Sequence, residues 1–163
     1  MAMTKHKKRL LLYGLLTLLI MVFIFCMSAQ DGEHSGDLSH SFLGSLLGGL
    51  LEKILPRLTD KGVEHDIRKY AHMFEYFCLG LSAFLFFTEL LAEKRCSIPA
   101  GAALSLALSF LYACTDEWHQ TFVPGRAGRF SDVMVDTAGC LFGLLLICLL
   151  KTALFLDKRK KRG

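Results

Sequence analysis

Four long runs of apolar residues constrain this chain more than any other feature. They lie at about residues 10–27, 70–91, 97–115 and 133–156. Each approaches the roughly 20 residues that a helix needs to cross a hydrocarbon core about 30 Å thick. In addition, 53% of the 163 residues are hydrophobic, which is too apolar for a soluble domain of this length. We therefore expect an all-α membrane protein, with residues 1–163 forming a single domain of four transmembrane helices.

The segment 38–55 differs from these four runs because its apolar residues recur at helical spacing on one face only. The other face carries serines, glycines, Glu52 and Lys53, and Pro56 ends the pattern. We predict an amphipathic helix that lies in the outer membrane interface. A fifth crossing is the alternative, but it would move one of the two basic chain ends to the outside.

Basic residues crowd the two ends of the chain, at 5–9 and 158–162, and also occur in the short turn at 93–95. Cytoplasmic segments of membrane proteins carry an excess of Lys and Arg. We therefore predict that both termini are cytoplasmic and that the segment 116–132 is an outer loop. The basic ends lack the aromatic-interleaved surface of a nucleic-acid binder, so we expect membrane lipids and no nucleic acid among the partners.

Polar residues collect where the second, third and fourth spans meet the outer surface. Lys69, His72 and Glu75 follow one another at three-residue spacing, which places them on one helix face. Charged side chains at such depth cost about 2 to 3 kcal/mol each, so they should face one another and not lipid. We predict an outward-facing pocket for a polar or anionic headgroup. Its predicted ligand-binding residues are Lys69, His72, Glu75, Asp116, Glu117, His119, Gln120, Arg126, Asp132 and Asp136.

Other roles for these residues stay open at this point. Glu75, His119 or Asp116 could act as acid or base in a reaction. A divalent metal is a second alternative, with His72, Glu75, Asp116 and His119 as candidate ligands from different helices. Ion pairs that only fix helix packing are the third. The pattern indicates no particular cofactor and no oligomeric state.

Several motifs together resemble one known family. They are RKxxHxxEY at residues 68–76, DExHQxFxPGR at 116–126, DV at 132–133, and the glycines at 139 and 143. This set is similar to the VanZ-like family of bacterial membrane proteins, which is named for a teicoplanin-resistance protein. Asp136 stands where that family usually has asparagine.

The resemblance implies a multi-pass protein of a bacterial plasma membrane, in a family some of whose members lower sensitivity to lipoglycopeptide antibiotics. Our first hypothesis is that the pocket binds or modulates a lipid-linked cell-envelope component, with a cell-wall precursor or the lipoglycopeptide itself as partner. The alternatives are a membrane-embedded enzyme that acts on an outer-leaflet headgroup, by acid/base or metal-assisted chemistry, and a structural assembly factor.

Overall fold

The computed structural model describes residues 4–29, 61–92 and 96–161, and within these ranges the regular structure is entirely helical. The four helices are α1 (Lys5–Ser28), α2 (Lys61–Leu90), α3 (Ser97–Gln120) and α4 (Phe130–Lys160). The predicted all-α class is therefore confirmed for this part of the chain. The predicted amphipathic helix at 38–55 lies outside the described residues.

All four helices are long and apolar enough to cross a membrane, over Lys5–Ser28, Lys69–Leu90, Ser97–Gln120 and Phe130–Ala153. Within the described residues, the four predicted spans are thus confirmed as helices of sufficient length and apolarity, in the predicted order. Two helices extend beyond the predicted apolar runs. Helix α2 begins at Lys61, before residue 70, and α3 continues to Gln120, past residue 115. Hydropathy marks only the residues that suit hydrocarbon, whereas backbone hydrogen bonding continues the helix into polar sequence until a cap or a turn stops it.

Helix α2 is the centre of the bundle and contacts each of the other three helices. It runs parallel to α4, which packs on it through glycines. A Cβ atom on Gly139 would overlap the carbonyl oxygen of Met73, and one on Gly143 would lie 2.7 Å from the carbonyl oxygen of Phe77. Only glycine permits this approach of the two backbones. Gly-x-x-x-Gly spacing is typical of such close helix contacts, and here the partner is α2.

Contacts near the chain ends fix the directions of the helices. His6 in the first turns of α1 is 3.0 Å from Glu89, at the end of α2, so these two helices are antiparallel. At the other end of α1, Ser28 reaches Asp116, near the end of α3. The start of α1 and the end of α4 therefore lie at the same end of the bundle, which we call the basic end. The opposite end, where α2 and α4 begin and α1 and α3 finish, is the polar end.

Candidate functional site

The polar end encloses a cavity of about 320 Å³. This is the lower end of the range for pockets that bind small molecules. Its wall comes from α2, α3, α4 and the loop between α3 and α4. The lining residues are Lys69, His72, Glu117, Gln120, Gly125, Arg126, Ala127, Arg129, Asp132, Val135 and Asp136.

The loop between α3 and α4 depends on two glycines. Gly125 has φ of 73°, in the left-handed region that glycine adopts without strain, and the turn is closed by the Arg126 N–H, which donates to the Val123 carbonyl at 3.1 Å. A Cβ atom on Gly128 would overlap the Glu117 carbonyl oxygen, so the loop lies directly against the end of α3. This path brings Arg126 and Arg129 to the cavity.

Arg126 connects the loop to α1 as well as lining the cavity. Its guanidinium donates a hydrogen bond to the carbonyl oxygen of Met27 at 3.1 Å. The last carbonyls of a helix have no partner within the helix and carry its partial negative charge, so a cation there is stabilising. The sequence predicted only a ligand contact for Arg126, and this second role requires the fold.

Glu117 holds the start of α4 against the end of α3. Its Oε2 accepts a hydrogen bond from the backbone N–H of Arg129 at 2.8 Å, and Arg129 is the residue that precedes the first turn of α4. A carboxylate at a helix N-terminus is favourable because it meets unsatisfied N–H groups and the positive end of the helix dipole. Glu117 is only 7% exposed, so this bond is well shielded from water.

Lys69 and Asp132 form an ion pair across the cavity, with Nζ and Oδ1 3.0 Å apart. The pair joins the start of the membrane-crossing part of α2 to the first turn of α4. Both side chains are partly exposed, so water screens the pair and its contribution to stability is small, about 0 to 1 kcal/mol. Lys69 therefore adds more to the charge of the site than to the stability of the fold.

A buried hydrogen-bonded group lies one turn deeper along α3. Asp116, 3% exposed, accepts bonds from the Ser28 hydroxyl at 2.7 Å and from Gln120 Nε2 at 3.2 Å. Gln120 also donates to the Ser28 hydroxyl at 2.9 Å. Ser28 is absent from the predicted site residues, although its place as the first polar residue after the apolar run of α1 was an available signal.

Asp136 lies on α4 one turn deeper than Asp132 and also lines the cavity. It is 2% exposed. Its Oδ2 is buried, and no hydrogen-bond donor of the described residues reaches that atom. Asp136 thus differs from Glu117 and Asp132, whose carboxylates have the partners given above.

Three predicted residues do not line the cavity. Glu75 lies beside His72, with His72 Nδ1 3.7 Å from its Oε2, and is close enough to Asp116 and Arg126 to interact with their charges. Asp116 lies below the cavity, in contact with Gln120. His119 packs its ring on Phe25 of α1, with the ring centroids 4.6 Å apart.

The predicted metal ligands are not gathered into a metal-binding set. In the described ranges, no three His, Cys, Asp or Glu side chains are placed so that they could hold a metal ion. His72 faces the cavity, Asp116 bonds to Ser28, and His119 packs on Phe25. Of the candidates for acid or base chemistry, Glu75 lies beside the cavity-lining His72, and Asp116 accepts a hydrogen bond from the cavity-lining Gln120.

Comparisons with known proteins agree with this architecture. No curated protein and no solved structure shows significant similarity to the chain. One family model, VanZ/LLP1, matches residues 13–151, which include the second and third spans, most of the first and fourth, and every residue of the cavity wall. This chain therefore belongs to the VanZ/LLP1 family.

Proposed function

We propose that this protein lies in a bacterial plasma membrane with its polar end outward, and that its cavity binds the headgroup of a lipid-linked component of the cell envelope. The observation that carries the proposal is the cavity itself, whose charged wall is assembled from three helices and a loop. Charged groups at such depth destabilise a membrane fold unless something uses them. Helix packing alone needs far fewer of them.

The orientation is supported by the distribution of charge. Lys5, Lys7, Lys8 and Arg9 begin α1, and Arg159, Lys160 and Lys161 follow the last span, so both groups lie at the basic end. Under the positive-inside rule this end is cytoplasmic. The polar end and its cavity then face the outer leaflet.

Aromatic side chains around the polar end support a position at the lipid headgroups. Trp118, Phe122 and Phe130 are each 68 to 69% exposed and lie next to the cavity-forming loop. Such side chains are enriched where a membrane protein passes from hydrocarbon to water. The cavity mouth is therefore at the depth where a phosphate group of a lipid would lie, with Arg126 and Lys69 as its cationic contacts.

A role in antibiotic sensitivity follows from the same site. A protein that binds an outer-leaflet envelope component alters how much of that component is accessible to a lipoglycopeptide of the teicoplanin type. The predicted interfacial helix at 38–55 would cover the cavity from the outside in this proposal.

Native mass spectrometry of the full-length protein in mild detergent tests the proposal. Val135→Trp fills the cavity with a bulky side chain, whereas Met134→Trp adds the same side chain next to it on the exposed face of α4. We expect the wild type and Met134→Trp to retain bound phospholipid, and Val135→Trp to lose it. Equal retention by all three proteins would overturn the proposal, and Ala127→Trp replaces Val135→Trp if that variant does not fold.

One observation favours an enzyme as the second candidate. His72 lines the cavity, and Glu75 Oε2 lies 3.7 Å from its ring nitrogen, so a small approach of the two side chains would let the carboxylate orient the imidazole for proton transfer. The same purified protein would then convert a phospholipid to a product with an altered headgroup mass. His72→Gln should abolish that conversion, and an unchanged lipid in the wild-type sample would contradict this candidate.

A further inference from the structure

Asp136 is the cavity carboxylate whose hydrogen bonding the protein leaves incomplete. It is 2% exposed and lines the cavity, and its buried Oδ2 has no donor among the residues that the structure describes. An ionised carboxylate only accepts hydrogen bonds, and buried carboxylates are normally paired with a cation or several donors. A fold that keeps such a group at the wall of a cavity offers it to a donor from outside the chain.

The other two carboxylates of the cavity wall already have partners within the protein. Asp116 Oδ1 and Glu75 Oε2 also lack a donor among the described residues, but neither residue lines the cavity. Glu117 accepts from the Arg129 N–H, Asp132 pairs with Lys69, and Asp116 accepts from Ser28 and Gln120. None of these interactions extends to Asp136, and no described residue forms an ion pair with it. Among the side chains that the structure describes here, the carboxylates also outnumber those of Lys and Arg. They are Glu75, Asp116, Glu117, Asp132 and Asp136, against Lys69, Arg126 and Arg129.

We infer that Asp136 binds a primary ammonium group, so the ligand of the cavity is zwitterionic, with a phosphodiester near Arg126 and an ammonium at Asp136. This inference rests on the proposed headgroup-binding function and narrows it. An ammonium supplies both a full positive charge and three N–H donors. A hydroxyl supplies a donor but leaves the negative charge of Asp136 without a counter-charge. A divalent cation would need further ligands, and the described side chains do not supply a set of three.

Two envelope lipids share this chemistry. One is phosphatidylethanolamine, in which two carbons separate the phosphate oxygen from the ammonium, and the other is an aminoacyl ester of phosphatidylglycerol, in which the ammonium lies farther from the phosphate. Both carry a primary ammonium and a phosphodiester in the same headgroup. Phosphatidylglycerol itself is the matched comparison because it keeps the phosphate and lacks the ammonium.

The experiment is native mass spectrometry of the delipidated full-length protein with dioleoyl forms of phosphatidylethanolamine, lysyl-phosphatidylglycerol and phosphatidylglycerol. We expect at least one ammonium lipid to be retained about tenfold more than phosphatidylglycerol. Asp136→Asn keeps the shape and removes the charge, so it should abolish this preference by lowering retention of the ammonium lipid. Asp157→Asn is the control, because it removes a carboxylate paired with Lys161 at the basic end, away from the cavity, and it should keep the preference.

The outcomes separate this inference from the proposed function. Retention of only one ammonium lipid identifies the source, and retention of both supports the shared chemistry. Equal retention of all three lipids, with loss in Val135→Trp, would overturn the ammonium contact and leave headgroup binding intact. The same holds if Asp136→Asn folds with its preference unaltered. If the wild type retained none of the lipids, both proposals would fall. If Asp136→Asn does not fold, the retention of the three lipids by the wild type still tests the ammonium contact.

Discussion

The two ends of the helix bundle are built on different principles. Toward the basic end, the helices approach closely through small residues and an apolar cluster. Gly101 lies against Thr88, and the buried side chains of Phe84, Cys140 and Leu144 pack together. At the polar end, α2, α3 and α4 surround a cavity with charged walls. Interiors are normally packed without voids, so this cavity is the feature on which the proposed binding rests.

The comparison also separates two uses of buried polar groups. Ser28, Asp116 and Gln120 bond to one another and join α1 to α3, so their burial stabilises the fold. Asp136 is equally buried, and its Oδ2 lacks a donor in the described chain, as does Oδ1 of Asp116, but only Asp136 of these two lines the cavity. Groups of the first kind should matter mainly for stability, and Asp136 mainly for binding.

The largest expected effect is the presence or absence of thiol labelling, which shows which end of the bundle faces outward. In a background without native cysteines, Ala127→Cys lies in the loop of the polar end and Lys161→Cys at the basic end, and both positions are exposed. A membrane-impermeant thiol reagent added to intact cells should label Ala127→Cys and not Lys161→Cys. The reverse pattern would place the cavity in the cytoplasm and contradict the proposed orientation.

The next largest effect should come from the close contact between α2 and α4. In Gly139→Leu, the new side chain would meet the backbone of Met73, which cannot move aside as a flexible side chain would. We expect destabilisation of about 3 kcal/mol, the upper part of the range for overpacking, or loss of the folded protein. Thermal unfolding in mild detergent measures it. Ala153→Leu, at an exposed position of α4, is the control, and equal melting of both variants would show that the contact is looser than described.

A smaller effect should follow from the bond that fixes the start of α4. Glu117→Ala removes the acceptor of the Arg129 N–H and should destabilise the protein by about 2 kcal/mol, as expected for a hydrogen bond to a charged group. Glu117→Gln keeps an acceptor oxygen and should lose less. An unchanged melting temperature in Glu117→Ala would mean that the bond is not maintained in detergent or membrane, and that Glu117 serves the cavity alone.

The sequence predicts the spans well because crossing a bilayer requires a length of apolar residues that can be read directly. The sequence predicts less completely which residues line the cavity. Both His119 and Gln120 were predicted to do so, but only Gln120 does. Both lie about one turn after Asp116, but successive residues are separated by about 100° around a helix, so the two side chains face different neighbours. Which of them meets the cavity depends on how α3 is rotated against α1, and no local pattern encodes that rotation.

The partners of Glu117 and Arg126 were not predictable for a related reason. Their bonds to the Arg129 N–H and the Met27 carbonyl depend on the path of the loop that Gly125 and Gly128 permit. Backbone groups carry no side-chain signature, so a sequence motif can show that Arg126 and Glu117 are special without showing what they bind. The structure adds a supporting role to the ligand-binding role that the motif predicted.

Helix α1 contributes no residue to the wall of the cavity, yet two residues of the site are attached to its end. Arg126 donates to Met27 and Asp116 accepts from Ser28, while the apolar run of α1 is somewhat shorter than a typical hydrocarbon core is thick. A span shorter than the hydrocarbon core is accommodated by local thinning of the bilayer or by flanking Lys and Arg side chains that reach toward the interface. The shape of the cavity is thereby coupled to bilayer thickness, so acyl-chain length is a variable to hold constant whenever headgroups are compared.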